Sequence, residues 1–250
     1  MRYALITGAT SGIGIEIAAR FVAAGWGVVL VSSSGEHLSD AHKKLMKIRS
    51  DSKIITITQD LSESGAAEQL YQAVHSIGID IDALVNDAGF GLIGAAVNIP
   101  TDMEEKMMRL NMIAPVQLCK LFIRDMYARQ HGVILNVAST GAFEPGPFNS
   151  TYYATKAFLY SYSRALTYEA SEHGVSVCTL CPGTTKTEFF RRAGVKTPVI
   201  GMTPAKVADY AFRGMMKGKA VIIPGIFNFL GRFAPECFKM QCVAAVKRPR

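Results

Sequence analysis

Long hydrophobic runs are missing from this sequence. The uncharged apolar stretch AVIIPGIFNFLG, from Ala220 to Gly231, is broken by Pro224 and Gly225 and falls short of the ~20 residues a membrane span needs, so no transmembrane segment is expected. The opening run YALI is too short for the core of a secretory signal. Cysteine is scarce and odd in number, with Cys119, Cys178, Cys181, Cys237 and Cys242 lying mostly among apolar neighbours. That usage excludes a disulfide framework and agrees with a reducing, cytoplasmic setting. The pair in VCTLCPG has C-x-x-C spacing, but residues three apart on a strand point to opposite faces, so no metal site is expected. Positive charge is concentrated rather than spread. Of the formal +7, the last twenty residues hold +4, from Arg232, Lys239, Lys247, Arg248 and Arg250 less Glu236. No basic run alternates with aromatics, which argues against nucleic-acid binding. Repeats, low-complexity segments and linkers are absent too, and residues 1–250 are expected to form a single domain.

What is present is alternation. Strand-length apolar runs recur at YALI, VVLVS (Val28 to Ser32), IITIT (Ile54 to Thr58), IDALVN (Ile81 to Asn86), VILNVAS (Val133 to Ser139), VSVCTLC (Val175 to Cys181) and AVIIP (Ala220 to Pro224). Between them lie stretches of helical period, among them a long one from Met103 to Gln130. Near-continuous apolar strands belong to a sheet buried on both faces, and strands alternating with helices imply right-handed crossovers between parallel strands. The fold class is therefore α/β, a doubly wound, Rossmann-like parallel sheet of about seven strands.

Directly after the first strand comes TGATSGIG, Thr7 to Gly14, with glycines at 8, 12 and 14. Glycine inside an element costs about 0.5–1 kcal/mol relative to alanine, so such a cluster implies a demand from backbone geometry or from a ligand. In a doubly wound sheet the first strand-to-helix turn presents backbone N–H groups and a helix N-terminus to a pyrophosphate. The spacing is not G-x-G-x-x-G, and no Lys-Ser/Thr pair follows as a P-loop requires.

Further along, Tyr152-x-x-x-Lys156 places a phenol and an ammonium on one face of a helix, about 6 Å apart along its axis. Taken alone, that spacing also suits a solvated helix face. In context, the chain from Met1 to about Thr187 resembles the short-chain dehydrogenase/reductase family. The resemblance rests on TGATSGIG, Asp60-Leu61, NDAG (Asn86 to Gly89), Asn111, NVAST with Ser139, YYATK, and PGTTKT (Pro182 to Thr187). Ser139 precedes Tyr152 by thirteen residues, the interval usual in that family.

Carbonyl reduction needs hydride at carbon and a proton at oxygen, and an unperturbed tyrosine, with pKa near about 10, is a poor acid at neutral pH. A nearby Lys156 ammonium is expected to lower it, making Tyr152 the acid–base group, with Ser139 as a second donor to the oxygen. The resemblance further implies that Lys156 holds the nicotinamide ribose and that Asn111 supports a proton-relaying water. It also implies a dinucleotide site drawn from Gly8, Ser11, Gly12, Ile13 and Gly14, from Asp60 and Leu61, from Asn86, Ala88 and Gly89, and from Tyr152, Lys156, Pro182, Gly183 and Thr187. Asn86 is expected against the adenosine ribose, and Asp87 replaces the family's usual second asparagine.

The second strand ends LVSSS, where the family places an acid for a free 2′-hydroxyl or an arginine for a 2′-phosphate. Neither is there. The missing carboxylate favours NADP(H), with Ser32, Ser33 and Ser11 as candidate donors, while the missing arginine leaves NAD(H) open. Phe90, Phe143, Phe148, Phe189 and Phe190 are candidates for an apolar lining of the substrate site. A substrate-covering loop and helix are expected over about 188–218, and a final strand with an apolar, basic tail over about 220–250. That ending resembles a subgroup of the family with long-chain and lipid-type ketoreductases. Three placements of the tail stay open: a peripheral lipid contact, a subunit interface, or a cap on the core. The expected activity is interconversion of a small-molecule carbonyl and an alcohol, in a homodimer or homotetramer by resemblance. The rival is a catalytically idle Rossmann domain that senses cofactor or acts as a scaffold, against which the complete Asn-Ser-Tyr-Lys set argues.

Overall fold

The computed structural model describes residues 1–193 and 200–248, apart from the side chain of Arg192. Positions 194–199 of the expected substrate-covering loop, and Pro249 and Arg250 of the tail, lie outside the described residues. The strands are β1 (Tyr3–Thr7), β2 (Gly27–Ser32), β3 (Ile54–Thr58), β4 (Ala83–Asn86), β5 (Gly132–Val137), β6 (Val175–Leu180) and β7 (Val221–Ile222). They form one sheet in the order β3-β2-β1-β4-β5-β6-β7, and every pair is parallel.

Neighbouring residues of a strand feed opposite cores. Ile6 and Leu30 pack with Phe21 and Leu45 on one face, whereas Leu5 and Val29 pack with Leu70, Leu118 and Phe122 on the other. Helices α1 (Gly12–Ala23), α2 (Gly35–Met46) and α8 (Pro204–Met216) cover the first face; α3 (Ala66–Ser76), α5 (Ala114–Arg129) and α6 (Ser150–Ser171) cover the second. Burial on both sides is why the strands read as unbroken apolar runs rather than alternating ones. Phe21 shows how firmly the helices are held: it is fully buried, edge-on to Phe212 of α8 at 5.1 Å, and truncation to alanine would cost about 3–5 kcal/mol.

Three expectations change. The strand expected from Ile81 begins at Ala83; Asp82, just before it, ties the strand's start to β1, its carboxylate accepting from the Tyr3 N–H at 2.9 Å and its own N–H donating to the Tyr3 carbonyl. The last strand contracts to Val221–Ile222, since Pro224 has no N–H to offer a ladder. The long helical stretch before β5 is interrupted: α4 (Thr101–Met108) passes through a π-helical turn over Arg109–Ile113 into α5. Pro115 accounts for the interruption, because it cannot donate to the carbonyl four residues back, that of Asn111.

A four-residue helix α7 (Phe189–Arg192) follows β6, and beyond β7 the chain forms a short helix α9 (Ile226–Gly231) and α10 (Glu236–Lys247), neither of which contributes a buried residue. The tail is therefore not a cap on the hydrophobic core. Among the described residues no helix is long and apolar enough to cross a membrane.

Candidate active site

The parallel sheet points the carboxyl ends of β1, β4, β5 and β6 at one cleft of about 1200 Å³. At its floor the glycine turn is shaped by positive φ at Gly8 (68°) and Gly12 (61°), conformations that side chains other than glycine resist. The NDAG turn packs on it so closely that a β-carbon at Gly8 would stand 2.9 Å from the Ala88 backbone. Thr7, the last residue of β1, fastens the two turns together: its hydroxyl oxygen accepts from the N–H groups of Asp87 and Ala88, each at 3.1 Å. Thr7 is not among the residues singled out from the sequence, although a hydroxyl residue opening a glycine turn is the available signal.

Most of the expected dinucleotide residues face this cleft. Gly8, Ser11, Gly12 and Ile13 line it from the first turn, Ala88 and Gly89 from the fourth strand's end, and Pro182, Gly183 and Thr187 from the loop after β6. Ser32, Ser33, Asp60 and Leu61 line the end nearest β2. There the Asp60 carboxylate accepts from the N–H and the hydroxyl of Ser62, at 2.9 and 2.7 Å, and the Ser32 hydroxyl accepts from the Ser34 N–H at 3.4 Å.

Three expected residues lie behind the lining instead. The side chain of Asn86 turns into the sheet, donating to Asn136 Oδ1 at 2.8 Å, and Asn136 donates in turn to the Ser163 hydroxyl at 2.8 Å. The reason is strand alternation, which sends residue 86 inward and leaves Asp87 at the cleft. Gly14 is buried under the first turn, where a β-carbon would meet the Gly8 carbonyl oxygen at 2.6 Å. Asn111 is fully buried in the π-helical turn: its amide donates to the Phe90 carbonyl at 2.9 Å and to the Thr155 hydroxyl at 3.1 Å, and its oxygen accepts from the Phe90 N–H at 3.2 Å. It ties the loop after β4 to α6, and its side chain is taken up by that connection rather than offered to the cleft.

Ser139, Tyr152 and Lys156 all line the cleft. Ser139 ends the β5 extension and caps a 3-10 turn over Thr140–Phe143, accepting from the Gly141 N–H at 3.0 Å. Tyr152 and Lys156 stack one turn apart on α6, with Nζ 5.7 Å from the phenol ring centre. The ammonium donates to the Val137 carbonyl at 2.8 Å, which anchors it at the end of β5. The electrostatics differ from the sequence expectation. Burial pushes the Tyr152 phenol above its usual range, and the hydrogen bond with Ser139, rather than the Lys156 charge, is what opposes that rise. Burial likewise lowers Lys156 to about 8, against the pull of the Asp87 carboxylate. Asp87 is itself raised by burial to about 7, restrained by Lys156 and by the Gly14 N–H. The cleft thus holds a coupled acid–base set whose members are drawn toward neutrality.

Of the expected apolar lining, Phe90, Phe189 and Phe190 face the cleft. Phe143 and Phe148 do not: the first packs edge-on to Tyr160 at 5.1 Å, and the second holds a left-handed φ of 62° beside Arg248. Tyr153, one residue past Tyr152, also reaches the cleft wall, where its ring lies against Gly141. Two contributions come from the tail. Val243, Val246 and Lys247 of α10 form part of the wall, and Asn228 of α9 abuts Gly183 so closely that a β-carbon there would lie 2.5 Å from its amide oxygen.

Comparison with known proteins places this geometry. A family profile described as short chain dehydrogenase matches residues 2–197. Among curated relatives, the chain is 28% identical over 265 residues to dehydrogenase/reductase SDR family member 7B of Bos taurus, covering 98% of this chain and 82% of that one. It is 31% identical over 206 residues to very-long-chain 3-oxoacyl-CoA reductase-B of Danio rerio, covering 79% and 64%. Among solved structures, a short-chain dehydrogenase from Sphingobium yanoikuyae in complex with NADPH superposes with a TM-score of 0.84 at 30% identity, over 90% of this chain and 89% of that one.

Proposed function

This chain belongs to the short-chain dehydrogenase family of oxidoreductases, and from that premise we propose that it interconverts an apolar carbonyl compound and its secondary alcohol, with NADP(H) as the preferred cofactor and NAD(H) as a weaker one. The observation that carries this reading is the convergence of Ser139, Tyr152 and Lys156 on one cleft that also contains the glycine turn.

The residues present fit a dinucleotide. Positive φ at Gly8 and Gly12 opens the turn at the N-terminus of α1, leaving backbone N–H groups and the positive helix end for a pyrophosphate. When bound, the nicotinamide supplies or accepts the hydride. The rest falls to side chains of this chain. The Tyr152 hydroxyl gives a proton to the carbonyl oxygen in reduction, and its phenolate takes one back in oxidation, while the Ser139 hydroxyl donates to the same oxygen and stabilises the charge developing there. A buried phenol is costly to ionise, so Tyr152 is held protonated and ready to donate, and the Ser139 bond limits the rise in its pKa. Lys156, anchored on the Val137 carbonyl, would hold the nicotinamide ribose hydroxyls, the role the family resemblance implies.

Two observations support NADP(H). The sequence at the end of β2 carries no carboxylate to repel a 2′-phosphate, and the NADPH complex of the Sphingobium relative shares the fold at 30% identity. An apolar, acyl-type substrate is supported by Phe90, Phe189 and Phe190, by the aliphatic wall of α10, and by the resemblance to a very-long-chain 3-oxoacyl-CoA reductase. Cytoplasmic residence and a homodimer or homotetramer complete the proposal. The test is a panel of ketones and alcohols of increasing chain length, followed by nicotinamide absorbance with each cofactor. Turnover that rises with apolar chain length and vanishes in Tyr152→Phe is expected; turnover that survives that change would sink the assignment.

A further inference from the structure

We propose that α9 and α10 form a docking surface for a bilayer containing anionic phospholipid, seated at the mouth of the cleft. The proposal goes beyond the catalytic reading and does not depend on it.

Among the described residues, exposed large apolar side chains are concentrated on these two helices. Phe227, Phe233 and Phe238 are 87%, 65% and 60% exposed, and Ile226, Leu230 and Val246 are exposed beside them. Neither helix buries a residue against the body of the protein, so their order does not come from the core. So many exposed apolar side chains on two successive helices call for a partner.

Charge decides which partner. From Val221 to Arg248 there are four cations, Arg232, Lys239, Lys247 and Arg248, and one acid, Glu236. A second copy of the chain docking through the same patch about a two-fold axis would set these like charges against one another. A surface of anionic headgroups complements them. The cations are also interleaved with rings. The Arg232 guanidinium lies over Phe229 at 4.7 Å and over Phe233 at 4.4 Å. Aromatic rings paired with basic side chains suit the boundary between headgroups and acyl chains, where the ring enters and the charge stays outside.

The patch is fixed relative to the cleft. Lys239 Nζ donates to the carbonyl of Phe143 at 2.6 Å, on the 3-10 turn that follows Ser139, and to the carbonyl of Arg232 at 3.3 Å. Val243 and Val246 of the same helix line the cleft. Docking through α9 and α10 therefore brings the cleft opening to the lipid, and an apolar compound can pass between them without crossing water.

Flotation of the full-length protein with vesicles tests this directly. The wild-type chain is expected to float with vesicles of phosphatidylcholine mixed with phosphatidylglycerol, to stay at the bottom with phosphatidylcholine alone, and to be released as salt rises. The variant F227S/L230S/F233S should lose flotation by about tenfold or more while keeping its NADPH affinity. Should that variant fail to bind NADPH, Arg232→Glu on its own must cut flotation on the mixed vesicles. Absence of wild-type flotation, equal flotation on both vesicle types, or undiminished flotation of a folded variant would overturn the proposal. So would a wild-type oligomer that the triple variant disperses without any vesicle binding, which would assign the patch to a second copy.

Discussion

The carboxylate of Asp87 lies against the backbone of Gly14: a β-carbon at position 14 would stand 2.7 Å from its Oδ2 and 2.6 Å from the Gly8 carbonyl oxygen. A half-buried carboxyl group at the cleft thus shares the N-terminus of α1 with the turn proposed to hold a pyrophosphate. Gly14→Ala has no free space to use, because one of its neighbours is the main chain of the glycine turn itself. Overpacking of this kind costs about 1–3 kcal/mol, and the displaced turn would no longer match a pyrophosphate. Thermal melts should show a lowered midpoint, and fluorescence titration a weakened NADPH complex. A variant of wild-type stability and affinity would mean that the turn is softer than its packing implies.

The same pairing predicts a pH dependence. In the unfolded chain Asp87 titrates near its ordinary value of 3.8, whereas in the fold burial raises it to about 7. Between those values the folded state holds a proton that the unfolded state has lost, so this group's contribution to stability falls as pH rises from about 4 to about 7. Asp87→Asn removes that dependence, and its melting temperature relative to wild type should climb across the same window. Cofactor binding should respond likewise, since a pyrophosphate near a carboxylate favours the protonated form. Wild-type NADPH affinity should weaken as pH rises past about 7 and flatten in Asp87→Asn. Parallel pH profiles for the two proteins would remove Asp87 from the site's electrostatics.

How much of this can be read from the residues alone varies with the interaction concerned. The strands are legible because burial on both faces writes itself as runs such as VVLV. The glycine turn and the Tyr152–Lys156 face are legible because each is set by local geometry. What is not legible depends on long-range packing. Nothing in the sequence shows that Asn111 is consumed by Phe90 and Thr155, which arrive from 21 and 44 residues away. Nor does it show that Asn86 turns toward Asn136 rather than toward the cleft. Pro115 is a readable cue to the interrupted helix, masked because the hydrophobic period runs on through it. The electrostatic balance also escapes, since proximity of Lys156 suggests a lowered phenol pKa, while the desolvation that outweighs it appears only with the packed site.

Tyr152 and Tyr153 both reach the cleft, and their separate removal distinguishes an acid from a wall. Tyr152→Phe keeps the ring and its packing on Gly91 and Phe189, but removes the hydroxyl that bonds with Ser139. Loss of a general acid costs about 10²–10⁴-fold in kcat, with NADPH affinity nearly unchanged. Tyr153→Phe should stay within about threefold of wild type, as its ring lies against Gly141 and Gly146 rather than beside Ser139. Steady-state kinetics on any accepted ketone decides between them, and equal losses in both would return the role of Tyr152 to packing.

Cofactor choice rests on the end of β2, where Ser32 and Ser33 line the cleft and the Asp60 carboxylate at the same end is itself occupied by Ser62. Placing a guanidinium there with Ser33→Arg should strengthen the preference for the phosphorylated cofactor by about 1–3 kcal/mol, the range for charge-assisted hydrogen bonds. Titration of both reduced cofactors against wild type and variant measures it. Tighter wild-type binding of NADH than of NADPH would overturn the proposed preference.

The tail offers a separation that a single truncation would blur. α10 supplies apolar wall through Val243 and Val246, while Asn228 of α9 abuts Gly183 and donates to the Pro224 carbonyl at 2.6 Å, bracing the loop after β6. Removing Glu236 to Arg250 therefore takes away wall but not brace. NADPH affinity should stay within about twofold, short ketones should turn over nearly as before, and KM for long apolar substrates should rise by about tenfold, the worth of about two buried methylene groups. Removing everything after Pro224 withdraws the brace as well, and cofactor affinity should then fall whatever the substrate. If the shorter truncation already weakened NADPH binding, α10 would be holding the cofactor loop rather than the substrate, and the acyl-type substrate proposed from its aliphatic wall would lose its main structural support.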